Sequence, residues 1–301
     1  MTRRGLPSLR ILALLAIILP TSVFTTLYVE HRYFSAEGLQ NFGNHGEVLF
    51  YLQTHQPIRI FEQGNLVGIT PDMWTFSDTG WGRPTGAYST TNIQVAGVDE
   101  LDIVKTNGTF IYTVVHNEVI IIRAYPPESA EIAGRINPMG DPLGLFLYGT
   151  NRLIVISQGI SIEVFDVTHP SNPQRINWVT FEGHFIGVRL IQDKIYLIAG
   201  TPTEDTFGNK RIPTVGIAGT WGTIISVLVP ASQIYYDPKT IDTFFQYTSI
   251  LTLDISVPAA LPDVKCFLMG TTDATVYVSQ NNLYLTTHHW FAESVTTIHR
   301  L

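Results

Sequence analysis

The chain has one cysteine among 301 residues, Cys266, so no intrachain disulfide can form. A fold placed outside the cell must therefore hold by packing alone. Charge is also scarce: charged residues make up 14% and hydrophobic residues 45%. That balance excludes an intrinsically disordered chain, which needs high charge and few apolar groups. Basic residues are outnumbered by acidic ones, 18 against 25, for a net charge of −7. A nucleic-acid partner is not expected, because phosphate binding needs a basic footprint. Nucleophile and nucleotide motifs are missing as well. There is no G-x-S-x-G, no P-loop, no dinucleotide fingerprint and no Ser/His/Asp set that can be ordered. No catalytic and no cofactor-binding residue is assigned from the sequence.

What is present points to β-structure and to the cell surface. Aromatic residues at 11%, with 24 Gly and 17 Pro, suit an all-β protein with many turns. The N-terminus, MTRRGLPSLR, carries three arginines and no acid, and residues 11–29, ILALLAIILPTSVFTTLYV, carry no charge. At 1.5 Å per residue a helix of that length spans about 28 Å, close to a bilayer core. The positive flank belongs in the cytoplasm. The expectation is a single-pass anchor with residues 30–301 outside. Secretion after signal cleavage near Thr21-Ser22-Val23 is the alternative.

After the anchor, residues 30–91 read as a short helix and a linker. Val48, Leu49, Tyr51 and Leu52 follow a helical spacing and predict a helix around Glu47–Thr54. Residues 64–91 are rich in Gly, Thr, Ser and Pro without a period. Trp74 and Trp81 are large enough that part of this segment is expected to pack on the following domain.

From residue 92 the chain repeats. DIVKTNGTFIYTVV (102–115), LFLYGTNRLIVIS (145–157), GVRLIQDKIYLIAG (187–200) and TVYVSQNNLYLTT (275–287) are each a β-rich run, a polar turn and a second β-rich run. Asn-Gly and related turns supply the positive φ of tight hairpins. The first apolar residues after the turns, Phe110, Leu153, Ile195 and Leu283, are 43, 42 and 88 positions apart. A β-rich period of about 40–45 residues is the spacing of propeller blades. Third strands follow in VIIIRAYPP (119–127), IEVFDVTHPSNP (162–173) and ILTLDISVPAALP (250–262), with Asp166 and Asp254 as matching acids. Fourth strands follow in EIAGRI (131–136), RINWVTF (175–181) and VKCFLMG (264–270). The fold class is therefore all-β, a propeller of four-stranded antiparallel blades. About four blades are present over residues 92–301, and residues 201–249 are an insertion in the third, a loop and hairpin rising from one face. The fourth unit stops in its third strand, so the ring is expected to continue in a longer chain or to be completed by another one.

YSTTNIQVAGVDELDIVKTNGTFIYTV (88–114), AYPP (124–127), FDVTHPSNP (165–173) and TVYVSQNNLYLT (275–286) resemble a family of secreted or membrane-anchored prokaryotic proteins, mostly archaeal, with a C-terminal β-propeller domain. The resemblance implies a propeller on the outer face of the membrane. It implies no particular activity.

Few side chains stand out as sites. Asp99, Glu100 and Asp102 lie at the start of the first inner strand, and the other repeats do not carry three acids there. They offer hard oxygens for Ca²⁺, although Ca²⁺ takes six to eight ligands and no EF-hand spacing is present. The competing expectation is that they cap a turn or line a solvated channel mouth. His288 and His289 are neighbours on a strand and point to opposite faces, which does not suit one zinc ion. Cys266 in VKCFLM reads as a buried small hydrophobe. Asn107-Gly108-Thr109 matches a glycosylation sequon but also a hairpin turn. The expected role is an extracellular binding module for a protein, a carbohydrate or an envelope component. A hydrolase using Asp99, Glu100 and Asp102 on the propeller face, or a structural envelope protein, are the alternatives.

Overall fold

The computed structural model describes residues 39–55, 98–219, 223–238, 245–269, 274–278, 282–289 and 295–300. The apolar segment 11–29 and the linker 64–91 lie outside them. Among the described residues no helix is long and apolar enough to cross a membrane.

The described residues begin with β1 (Gln40–Asn41), α1 (His45–Thr54) and β2 (Val98–Glu100). A first sheet follows, built from β3 (Val104–Thr106), β4 (Phe110–Val115), β5 (Glu118–Arg123) and β6 (Glu131–Ile136) in sequential order. The second sheet holds β7 (Pro142–Tyr148), β8 (Arg152–Ser157), β9 (Ser161–Asp166) and β10 (Gln174–Phe181). The third opens with β11 (His184–Ile191) and β12 (Lys194–Pro202). The insertion then supplies β13 (Thr214–Ala218), β14 (Ile224–Leu228) and β15 (Ile234–Tyr236). The third sheet resumes with β16 (Gln246–Asp254) and β17 (Asp263–Met269). A last antiparallel sheet contains β18 (Ala274–Val278), β19 (Leu283–His289) and β20 (Val295–Arg300). The sheets remain separate and none closes on itself.

The repeat read from the sequence is this series of sheets. Its hairpins turn at Gly108, Gly149 and Gln192, all with positive φ. The β8–β9 pairing sets Arg152 opposite Asp166, and the β12–β16 pairing sets Lys194 opposite Asp254. The two acids that match in sequence therefore occupy equivalent ends of equivalent strands, each across from a cation.

Successive sheets pack face to face. Tyr112, Val119 and Ile121 of the first sheet share one apolar cluster with Leu153, Val155 and Phe165 of the second. Ile154, Ile156 and Val164 point the other way, into a larger cluster with Ile195, Leu197, Tyr247 and Leu251 of the third. The second sheet is thus covered on both faces, which is why β8 and β9 read as continuous apolar runs rather than alternating ones. Each fully buried Leu or Ile contributes about 1.5–3 kcal/mol. Ile198, Phe267 and Leu283 form a third cluster joining the third and last sheets.

The N-terminal helix belongs to this core. Asn44 Oδ1 accepts from Glu47 N at 3.1 Å and Glu47 returns a carboxylate oxygen to Gly43 N at 2.8 Å, a reciprocal cap that fixes where α1 starts. Val48 and Leu52, four apart, join the cluster between the second and third sheets.

Two expectations change. The DELD stretch does not open the first inner strand: β2 pairs antiparallel with β11 of the third sheet. The insertion hairpin does not stand free: β13 pairs with β10 and extends the second sheet to six strands. In both cases strands find unpaired edges far away in sequence, which satisfies backbone groups that a free segment would leave to water.

Candidate functional site

The acidic trio lies where the chain crosses the inner strands of three sheets. Val98, Asp99 and Glu100 pair with Ile191, Leu190 and Arg189 of β11. Asp102 then forms a bridge with Leu145 of β7, its N–H donating to Leu145 O at 3.3 Å and its carbonyl accepting from Leu145 N at 2.7 Å. Two residues later β3 enters the first sheet. Val98 is buried and supplies the apolar foothold of this strap.

The carboxylates are engaged by cations. Lys105 is only 9% exposed. Its ammonium donates to Asp99 Oδ1 at 2.8 Å and to the Glu100 carbonyl at 2.9 Å. It also sits 5.7 Å from the centre of the Phe146 ring. Arg189 Nη2 lies 3.4 Å from Glu100 Oε1, directly across the ladder. The structure thus brings Asp99 and Glu100 to Lys105 and Arg189 rather than to one another, while Asp102 acts through its backbone. Among the described residues no group of three or more His, Cys, Asp or Glu side chains is arranged to hold a metal ion.

The other marked residues have structural partners as well. Asn107 Oδ1 accepts from the N–H groups of Thr109 and Phe110 at 3.1 and 2.8 Å, and its Nδ2 donates to Thr150 O at 2.9 Å. The nitrogen of the sequon therefore links the first hairpin turn to the second. Cys266 is buried beside Ser249, whose hydroxyl donates to Sγ at 3.1 Å, and burial pushes the thiol up to about 12. A thiol in that state is not a nucleophile near neutral pH. Asp166 is lowered chiefly by the Thr168 hydroxyl and N–H, and Asp254 is held down to about 2, first by the Ser256 hydroxyl and then by Lys194. His288 and His289 fall at the end of β19, opposite Thr296 and Val295 of β20.

Sequence reasoning missed how the N-terminal segment and the insertion grip each other. His45 Nε2 lies 2.8 Å from Val229 O, Asn41 Nδ2 donates to Ser232 O at 3.0 Å, and β1 pairs with β15. Phe42 stacks on Tyr236 with centroids 4.4 Å apart, and Tyr51 meets Tyr236 at 4.8 Å. Scattered aromatic and histidine residues around position 45 were the available signal. Beyond this grip the insertion presents two features to solvent. Phe207 is 89% exposed at the tip of a turn held by Asp205, which accepts from the N–H groups of Phe207 and Asn209. Strand β14 exposes Ile225 (52%), Val227 (44%) and Leu228 (47%).

Sheets in series that are antiparallel except for the β15–β17 pair, packed face to face with a period near 42 residues between the first three hairpins, define a β-propeller type of protein. Comparison with known proteins agrees: the family model described as "Beta propeller domain" matches residues 88–301, and the chain belongs to that family. It is 28% identical over 200 residues to an uncharacterized protein of Methanocaldococcus jannaschii, covering 65% of this chain and 29% of that protein. It is 27% identical over 309 residues to an uncharacterized protein of Archaeoglobus fulgidus, covering 92% of this chain and 46% of that protein. The chain thus spans less than half the length of both relatives.

Proposed function

We propose that this chain is a binding module displayed outside the cell, held at the membrane by residues 11–29 with the propeller on the outer side. The charge-free stretch behind a positive N-terminal flank supports the topology. The observation that carries the binding role is β14: among the described residues it is an edge strand of a six-stranded sheet, with three large apolar side chains half in solvent. Natural edge strands are usually blunted by charge, proline or a cover, and an unblunted one marks a place where another chain adds. The ionic groups at the strap hold the domain together, and the insertion carries the contact surface.

A photo-crosslinking residue at Val227, in the full chain in its own membranes, tests this. Adducts that form at position 227, and not at the exposed Ser171 in the turn between β9 and β10, are expected. Equal labelling at both positions would sink the proposal.

A further inference from the structure

We infer that β14 is a self-association edge: it pairs antiparallel with β14 of a second copy of this chain, in a register centred on Ser226. The inference rests on the binding role proposed above and names the partner.

The ladder decides which backbone groups are available. Val229 N donates to Pro213 O and Gly219 N donates to Thr223 O. With the register Val227 to Val215 and Ile225 to Ile217, the odd-numbered residues of β14 bond β13. Ile224, Ser226 and Leu228 therefore turn their N–H and C=O groups outward. A two-fold axis through the Ser226 pair sets Ile224 against Leu228 of the copy, Ser226 against Ser226, and Leu228 against Ile224. Each is then a hydrogen-bonded pair exchanging two N–H···O bonds. On one face Ile225 meets Val227 of the copy, and on the other Ile224 meets Leu228. The strand is complementary to itself, as an isologous contact requires.

Charge favours the same occupant. No Asp, Glu, Lys or Arg occurs from Ile212 to Tyr236 in a chain of net charge −7. Two copies approaching elsewhere would bring like charge together, whereas here they meet without any. A lipid surface is a poorer occupant, because hydrocarbon would leave the three outward N–H and C=O groups unsatisfied. A pair of five-residue strands buries less than the roughly 1,200 Å² of a standard interface, so the free dimer is weak. Two chains held in one membrane would meet at a much higher effective concentration.

Cysteine at position 226 tests the geometry in the full chain. Hydrogen-bonded antiparallel pairs hold their Cα atoms about 5.5 Å apart, inside the Cα span of a disulfide, and their Cβ atoms need close by only about 1 Å for the bond to form. The native Cys266 is buried, so a reducible dimer reports on the new thiol. Ser226→Cys in membranes under mild oxidation is expected to form disulfide dimer about tenfold faster than Ser171→Cys, because pairing raises the local thiol concentration. In a second variant, Ser226→Pro removes an outward N–H and leaves the β13 ladder intact. It should abolish the Val227 self-adduct while the melting curve stays unchanged. Equal rates for the two cysteines, or a self-adduct that survives Ser226→Pro, would overturn self-pairing. Adducts of Val227 with a different protein would also overturn it, yet leave the binding module standing. No position-dependent adduct at all would overturn both.

Discussion

The Lys105 ammonium lies 2.8 Å from Asp99 Oδ1, and this pair fastens the strap 98–105 that runs from the third sheet to the first. Lys105 is nearly enclosed, whereas Asp99 keeps some contact with solvent. Replacing Lys105 with Met removes the cation from Asp99 and the Glu100 carbonyl, and leaves Asp99 Oδ1 with only the Glu100 N–H at 2.9 Å. Losing a charge-assisted hydrogen bond from a pair that is only partly buried costs about 1–3 kcal/mol. Urea unfolding of Lys105→Met should show that loss, and Asp99→Asn combined with it should be less than additive. Additive losses would mean that the two groups do not act on each other.

Acid sensitivity follows from the repeated aspartates. Asp254 is held down to about 2 against an ordinary 3.8, first by the Ser256 hydroxyl and then by Lys194. A carboxyl depressed in the folded chain is protonated first in the unfolded one. Its contribution is complete above 3.8 and is lost as the pH falls from 3.8 through about 2. Asp254→Asn should flatten the stability profile in that window and leave its slope above pH 5 unchanged. Melting curves recorded across the acid range check this, and an unchanged acid limb would refute the assignment.

The repeat was legible because its signals are local. A hairpin needs positive φ at its turn, so Asn-Gly and Gly-Thr-Asn announce it, and each turn is followed by a β-rich run. Helix α1 was legible from the spacing of Val48, Leu49, Tyr51 and Leu52, but its start at His45 behind the Asn44 cap was not. Nor was the strap. Val98–Glu100 looks like the head of the strand that follows, since its true partner β11 lies some ninety residues further on and pairing leaves no trace in composition. The same holds for the buried Glu163, which sits in an apolar strand and is satisfied by Arg175 Nη1 at 2.8 Å and Met139 N at 2.7 Å. A carboxylate in an apolar run gives no hint of which distant donor will meet it. The β13–β14 hairpin could be seen as a hairpin, but its docking on β10 depends on register and not on residue type.

Asn107 should matter for stability rather than for modification. Its side-chain oxygen organises the first hairpin turn and its nitrogen reaches the Thr150 carbonyl. Asn107→Ala removes both roles and should cost about 1–2 kcal/mol. Asn107→Asp keeps the accepting oxygen but loses the donor, so it should fall between Ala and the native residue. Denaturant midpoints of the three proteins check the order, and equal midpoints for Asp and Asn would show that the link to Thr150 carries nothing.

The contact between the first two sheets has a sharper probe in Gly134. A Cβ at this position on β6 would lie 1.8 Å from Pro170 O, the carbonyl of the turn between β9 and β10. That partner is backbone, so it cannot swing away as a side-chain end would. Gly134→Ala must push the outer strand of the first sheet off the turn, and overpacking of this kind costs about 1–3 kcal/mol. Gly187 on β11 has nothing within 4 Å of its would-be Cβ, and Gly187→Ala should stay within about 0.5 kcal/mol. Thermal melts of the two variants side by side separate steric exclusion from a general intolerance of strand substitution. Equal losses at both positions would mean that the close approach of Gly134 to Pro170 does not hold the two sheets in register.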